Sequence, residues 1–290
     1  MRVGFVGLGA MGCAIAARLL GAGYEVLGWN RSPEPCAKLA AEGLQMVSSL
    51  GAMAPCDVIL SMLADDKAVT SVLLEGGLLA TLRPGSVHIN MATVSVECAR
   101  DMAARHADRG VAYIASPVLG RPDAAAEGRL HLLVAGAKEA VDRVHPLLAA
   151  IGQRIWPFGQ NPEAANVVKI ATNLTLACAI EAMGEGTHLV AGYGVPGEAY
   201  LEMLAGTLFA APAYKVYGPM IAHKRFTPPG FRVQLGLKDV KLALQAGEAA
   251  RVPLPFAGVL RDNFLDCLAH GEGDLDWSAL VEAGARRAGQ

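Results

Sequence analysis

The feature that most constrains this chain stands at its start. Arg2-Val3-Gly4-Phe5-Val6 reads as a strand that runs straight into Gly7-Leu8-Gly9-Ala10-Met11-Gly12 and then into an alanine-rich helix. In that setting the spacing GxGxxG has a physical meaning. Gly7 permits a tight turn, Gly9 lets backbone approach a pyrophosphate, and Gly12 allows the helix to lie close on the strand. The helix N-terminus then presents unpaired N–H groups and a partial positive charge to the anion. Gly7, Leu8, Gly9, Ala10, Met11 and Gly12 are therefore candidate dinucleotide contacts. With the strand beginning at residue 2, the first residues are expected to belong to the fold and not to a cleavable leader.

The rest of the first half repeats the same rhythm. Apolar runs at Val3 to Val6, Glu25 to Gly28, Val58 to Leu60, Val87 to Ile89 and Val111 to Ile114 alternate with helix-length segments such as Met11 to Leu20, Pro33 to Ala41 and Val96 to Ala107. This predicts an α/β domain, a Rossmann-type doubly wound parallel sheet covered on both faces. Two more strands, Leu130 to Val134 and Arg154 to Pro157, are expected around a helix from Lys138 to Ala150. Past Gly159 the pattern changes. A long helix is expected from Glu163 to about Val190, followed by an all-α region with helices at Gly197 to Leu204, Leu235 to Glu248 and Phe256 to His270, and a loop from Lys224 to Gly230. The domain boundary is placed at residue 162, giving domains 1–162 and 163–290.

Composition narrows the function classes. Twenty-five Lys plus Arg against 27 Asp plus Glu leave a formal charge of −2, which provides no basic field for nucleic acid. Hydrophobic residues make up 53% of the chain and charged residues 18%, which suits a compact protein with surface buried against another subunit. Cys13, Cys36, Cys56, Cys98, Cys178 and Cys267 show no CxxC pairs and no metal-ligand spacing, so no metal site is expected and a reducing, cytoplasmic location is. The apolar stretch from Ile170 to Ile180, flanked by Lys169 and Glu181, reads as too short to cross a bilayer. Trp156 and Trp277 read as core. None of the seven histidines shows a partner constellation, and none is expected to carry chemistry.

The end of the second strand decides which dinucleotide is favoured. NAD-binding proteins of this fold carry an acidic residue there for the ribose hydroxyls, whereas this chain has Asn30-Arg31-Ser32. Arg31 can pair with a 2′-phosphate and stack on adenine, with Asn30 and Ser32 donating hydrogen bonds, so NADP(H) is expected in preference to NAD(H). Arg31 also suits a solvated turn.

The ordered set Gly7 to Gly12, Ser61-Met62-Leu63-Ala64-Asp65, Asn90-Met91-Ala92-Thr93-Val94-Ser95, Ser116-Pro117-Val118-Leu119-Gly120, Lys169 to Asn173, and Gly230-Phe231 through Lys238-Asp239 resembles the β-hydroxyacid dehydrogenase family, over nearly the whole chain. That family includes 3-hydroxyisobutyrate dehydrogenases and the glyoxylate and succinic semialdehyde reductases. The resemblance implies that Lys169 is the catalytic proton donor or acceptor and that Asn173 orients the substrate. The i, i+4 spacing places both on one helical face. It further implies that Thr93 lies near the cofactor ribose and Lys238 near the nicotinamide, with Asp239 anchoring the helix of Lys238. Met62 and Leu63 flank the dinucleotide by position, although as apolar residues they suit the core equally. Substrate contacts are expected from Ser116, Val118, Leu119, Gly120, Arg121, Asn173 and Phe231.

The chain departs from the family in its acid-binding loop. Relatives commonly have Ser and a second Gly where this chain has Leu119 and Arg121, and a glycine is frequent where it has Pro162-Glu163. Arg121 either replaces the lost grip with a charged fork to a carboxylate or points at solvent. Phe209, Tyr214, Tyr217 and Phe231 suit an apolar pocket or helix packing.

The reading that emerges is an NADPH-dependent oxidoreductase interconverting a small carbonyl compound, a semialdehyde or 2-oxo acid, and its hydroxy acid. An imine reductase is the alternative within the enzymes; such relatives usually lack the lysine that Lys169 supplies. A non-catalytic nucleotide-binding interaction protein is the alternative of another class. A homodimer or homotetramer is expected.

Overall fold

A computed structural model describes residues 1–32 and 37–289. Cys36 and the first residues of the expected helix Pro33 to Ala41 lie outside that range. In order, the elements are β1 (Arg2–Val6), α1 (Ala10–Gly21), β2 (Glu25–Trp29), α2 (Ala37–Ala41), β3 (Gln45–Met46), β4 (Val58–Ser61), α3 (Asp66–Thr70), α4 (Leu78–Thr81), β5 (Val87–Asn90), α5 (Val96–Ala107) and β6 (Ala112–Ala115). Then come β7 (Val118–Leu119), α6 (Pro122–Ala126), β8 (Leu130–Val134), α7 (Lys138–Ile151), β9 (Gly152–Pro157) and α8 (Glu163–Ala191). The remaining helices are α9 (Gly197–Gly206), α10 (Pro212–Ala222), α11 (Val233–Ala250), α12 (Pro255–Ala269) and α13 (Glu282–Ala288).

Six parallel strands form the main sheet in the order β3-β2-β1-β4-β5-β6. Chain direction along the sheet reverses between β1 and β4, which makes the crevice at their C-terminal ends the topological switch point. Alternation along the strands feeds two apolar layers. Val3, Phe5, Val58, Leu60, Val87 and Ile89 face α1 and α7, while Ile59 and Tyr113 face α3, α4 and α5. A second sheet has the order β7-β8-β9, with β7 antiparallel to β8 and β8 parallel to β9.

The two-residue strands β3 and β7 and the helices α10 and α13 extend the expected set. Pro212 sits in the first turn of α10, where its missing N–H costs nothing, so it opens that helix. Trp277 is 2% exposed and belongs to the core, but Trp156 is half-buried, with the Arg154 guanidinium 3.7 Å over its ring and its indole N–H donating to His131 Nδ1 at 3.2 Å.

Two compact units divide the chain at Lys169/Ile170. That division falls beyond residue 162 because the opening turns of α8, through Ala164, Ala165 and Val168, pack in the apolar layer of the first unit. The second unit has its own core, in which Ala177, Ile180 and Met183 of α8 meet Leu237, Val240, Leu260, Phe264 and Trp277. At 29 residues α8 is long and apolar enough to cross a membrane by length and composition, contrary to the expectation from Ile170 to Ile180. The helix does not stop at Lys169 or Glu181. It carries the buried polar residues Asn166, Asn173 and Glu181, while Val167 and Leu189 on it are exposed.

Candidate active site

The glycine turn occupies the C-terminal end of β1. Gly7 has φ +91°, and a Cβ there would come 2.4 Å from the Met62 carbonyl oxygen; a Cβ at Gly12 would come 2.0 Å from the Gly7 carbonyl oxygen. Both positions are closed to larger residues by the protein itself. Gly9 is different. Its backbone is extended (φ −76°, ψ −167°), no atom of the protein lies within 4 Å of a Cβ built on it, and no side chain caps α1. The bare helix N-terminus and the open approach over Gly9 fit a pyrophosphate, which would occupy the space that a side chain would fill. Ala10 is exposed and Met11 half-buried beside it, whereas Leu8 is buried in the core beneath.

Asn30 ties this turn to the end of β2. Its Oδ1 accepts from the Leu8 N–H at 3.0 Å, and its Nδ2 donates to the Ser32 carbonyl at 2.7 Å. Asn30 thus braces two loops from within, leaving Arg31 and Ser32 exposed beyond it. Met62 and Leu63 leave β4 half-buried, with the Met62 N–H bonded to the Val6 carbonyl. Thr93, half-buried, follows β5. Asp66 Oδ1 accepts from the Ser95 N–H at 2.8 Å, which joins the loops leaving β4 and β5.

The Ser116 to Arg121 loop leaves β6 on the same rim. Ser116 is fully buried, and its hydroxyl oxygen has no hydrogen-bond partner among the described residues. Val118 is buried, Leu119 and Arg121 are half-buried, and Arg121 forms the N-cap position of α6. At Gly120, φ is +140° and a Cβ would come 2.6 Å from Leu130. This glycine is demanded by the turn.

Lys169, the last residue of the first unit, and residues of the second unit are the remaining candidates. Asn173 is buried on α8, one turn along the helix from the half-buried Lys169, and its Nδ2 donates to Asp239 Oδ2 at 2.5 Å. The other oxygen of Asp239 lies 3.2 Å from the Lys238 ammonium as an ion pair without hydrogen-bond geometry. Asp239, 3% exposed, therefore links Asn173 to Lys238, a larger role than anchoring one helix. Phe231 packs edge-to-face on Trp277 at 4.9 Å, and the Gly230 and Phe231 N–H groups both donate to Asp276 Oδ2. Tyr217 is buried and accepts from the Trp277 indole at 2.9 Å, so it serves packing, while Phe209 is 42% exposed beside Tyr214.

Two of the histidines, contrary to expectation, do have partners. His88 and His106 stack at 4.9 Å inside the first unit, with His88 Nδ1 2.9 Å from His106 Nε2 and His88 Nε2 2.8 Å from Ser61 Oγ. Eighteen residues separate them in the chain, and only the packing of α5 on β5 brings them together. Burial pushes both imidazoles below their ordinary range, His106 to about 4 and His88 well down, with His106 beside His88 adding to the effect.

Family models match on both sides of the long helix's start. The NAD binding domain of 6-phosphogluconate dehydrogenase matches residues 2–159, and the NAD-binding domain of NADP-dependent 3-hydroxyisobutyrate dehydrogenase matches residues 164–283. The chain belongs to the 3-hydroxyisobutyrate dehydrogenase-like β-hydroxyacid dehydrogenase family. It is 40% identical to an uncharacterized oxidoreductase, YfjR, of Bacillus subtilis, over 97% of this chain and 99% of that one. Glyoxylate/succinic semialdehyde reductase 1 of Arabidopsis thaliana is 32% identical over 98% of each chain. Among solved structures, 3-hydroxyisobutyrate dehydrogenase of Mycobacterium tuberculosis with L-serine superposes with a TM-score of 0.88 at 28% identity, covering 97% of this chain and 99% of that one. An imine reductase from Pseudomonas sp. shares the fold, with a TM-score of 0.63 at 23% identity and coverage of 98% and 99%. This β-hydroxyacid dehydrogenase-like protein is accordingly an NAD(P)-dependent oxidoreductase of the dehydrogenase/reductase type acting on CH–OH groups.

Proposed function

We propose that the chain reduces a small carbonyl compound, a semialdehyde or 2-oxo acid, to its hydroxy acid with NADPH, and that Lys169 supplies the proton. The observation that carries this reading is the unbroken α8, which holds Lys169 and Asn173 four residues apart on one helix while Asp239 fixes the Asn173 amide. When bound, a reduced nicotinamide would supply hydride to the carbonyl carbon. Lys169 then gives a proton from Nζ to the carbonyl oxygen as negative charge develops there. Asn173, with one amide N–H committed to Asp239, orients a substrate oxygen with the other. By the family resemblance, Lys238 would face the nicotinamide end of the cofactor and Thr93 its ribose. Ser116, Val118, Leu119, Gly120, Arg121 and Phe231 shape the substrate end.

Arg31, exposed beside a β2 end with no carboxylate in Asn30-Arg31-Ser32, supports the preference for NADP(H). The exposed Leu189, Tyr193, Leu208 and Phe256 of the second unit support a homodimer or homotetramer, to be read by sedimentation. The cysteine pattern supports a cytoplasmic location.

The decisive assay follows NADPH oxidation with glyoxylate, succinic semialdehyde, larger aldehydes and cyclic imines, for the wild type and Lys169→Ala. Carbonyl turnover that falls with Lys169→Ala is expected. Imine turnover that survives the substitution would select the imine reductase reading, and cofactor binding without any turnover would select the non-catalytic one.

A further inference from the structure

We propose that Asn90, held from behind by Tyr113, positions the Met91–Thr93 segment for the dinucleotide; the proposal rests on the cofactor reading above. Asn90 is the last residue of β5, and its Oδ1 accepts from the Ala92 N–H at 3.0 Å, which fixes the turn immediately before Thr93. Its Nδ2 donates to the Tyr113 hydroxyl at 2.9 Å. Ser61, the last residue of β4 and the registered neighbour of Asn90, stands with its Oγ 3.3 Å from Asn90 Oδ1. Met62 leaves the strand directly after it.

The proton arrangement in this chain is fixed by its far end. The Met102 carbonyl can only accept, so His106 carries its proton on Nδ1, 2.6 Å away. His106 Nε2 is then an acceptor, which obliges His88 to carry its proton on Nδ1, and His88 Nε2 in turn accepts from the Ser61 hydroxyl. With its proton given to His88, the Ser61 hydroxyl leaves Asn90 Oδ1 to the Ala92 N–H. The polar chain from α5 thus ends at Ser61, at the exit of β4, while the Asn90 amide at the exit of β5 is oriented by the Tyr113 hydroxyl and the Ala92 N–H. Ser61, His88, Asn90 and His106 are all at most 1% exposed, in a layer otherwise built from apolar side chains. A buried polar chain of this kind is costly if any member loses its partner, which restricts the backbone it joins to one conformation.

Tyr113→Phe tests this by removing a single hydroxyl without changing shape; Asn90→Leu removes the amide itself. Nicotinamide fluorescence reads NADPH affinity, and hydrogen exchange reads the Ala92 and Thr93 amides. Val144→Ala, in the opposite apolar layer, serves as a control for destabilisation alone. About tenfold weaker NADPH binding is expected for Tyr113→Phe, with faster exchange at Ala92 and wild-type affinity in Val144→Ala. Unchanged affinity and exchange in Tyr113→Phe overturn the proposal, as does an equal loss of affinity in Val144→Ala. If Asn90→Leu fails to fold, Tyr113→Phe decides alone. Wild-type protein that binds neither NADPH nor NADH refutes the cofactor reading and this proposal with it, whereas tight wild-type binding with an unaffected Tyr113→Phe refutes this proposal alone.

Discussion

Replacing Gly9 by alanine separates what the fold needs from what the cofactor needs. The Gly9 backbone lies in a region that any residue adopts, and a Cβ there has no protein atom within 4 Å. The fold loses only the difference between glycine and alanine at a helix N-cap, roughly 0.5–1 kcal/mol, which for a chain of this size lowers the melting temperature by about 1–4 °C. A bound phosphate fares worse. It must come within about 2.9 Å of backbone N–H groups, and a methyl group with a contact distance of about 3.5 Å holds it off. Losing even one hydrogen bond to a charged group, roughly 1.5–3 kcal/mol, weakens NADPH binding by about 10- to 100-fold. Gly12→Ala should behave in the opposite way, because its Cβ would sit 2.0 Å from the Gly7 carbonyl oxygen and force α1 off β1. Fluorescence titration with NADPH, run beside thermal melts of both variants, checks the pair. Wild-type affinity in Gly9→Ala would refute the assignment of the pyrophosphate to this turn.

Three further outcomes are expected. Arg31→Ala should raise the KM for NADPH at least ~30-fold while changing that for NADH little, since the lost pairing is to the 2′-phosphate, worth roughly 2 kcal/mol; equal effects on both cofactors would count against it. His106 has its folded pKa at about 4 against an ordinary value of 6.5, so the unfolded chain binds more protons in that window and the His106 contribution to stability falls as pH drops from 6.5 toward 4, by up to about 3 kcal/mol. Glu181 has the opposite sign. Burial and the neighbouring Glu185 raise its carboxyl to about 7 despite Asn263 and Arg287 nearby, so its contribution falls as pH rises from 4.5 through 7. Urea unfolding of His106→Leu and Glu181→Gln at pH 5 and pH 8 should show each variant losing its own slope, with Glu181→Gln the more stable protein at pH 8.

The parts legible in the sequence were those fixed by local chemistry. The β1, glycine turn and α1 unit announces itself through a continuous apolar strand and three glycines, two of which have no room for a side chain. α5 matched its expected bounds because Ser95 caps it, accepting from the Cys98 N–H. By contrast, β3 and β7 are two residues each, too short to set up a period, and exist because a neighbouring strand offers an edge. α10 was hidden by Pro212, Gly218 and Pro219, which read as breakers until the helix is seen to begin at the first proline. The polar connections were least visible. Asn173 and Asp239 are 66 residues apart, and His88 and His106 meet only through tertiary packing, so no motif length contains either pair.

The central claim is best tested by a ternary crystal structure with NADP(H) and a carbonyl substrate or its hydroxy product. Lys169 Nζ is expected within hydrogen-bond reach, about 3 Å, of the substrate oxygen at the nicotinamide ring, with the Asn173 amide on the same ligand. A structure that leaves the Lys169 amine in open solvent, remote from the ring, would contradict it.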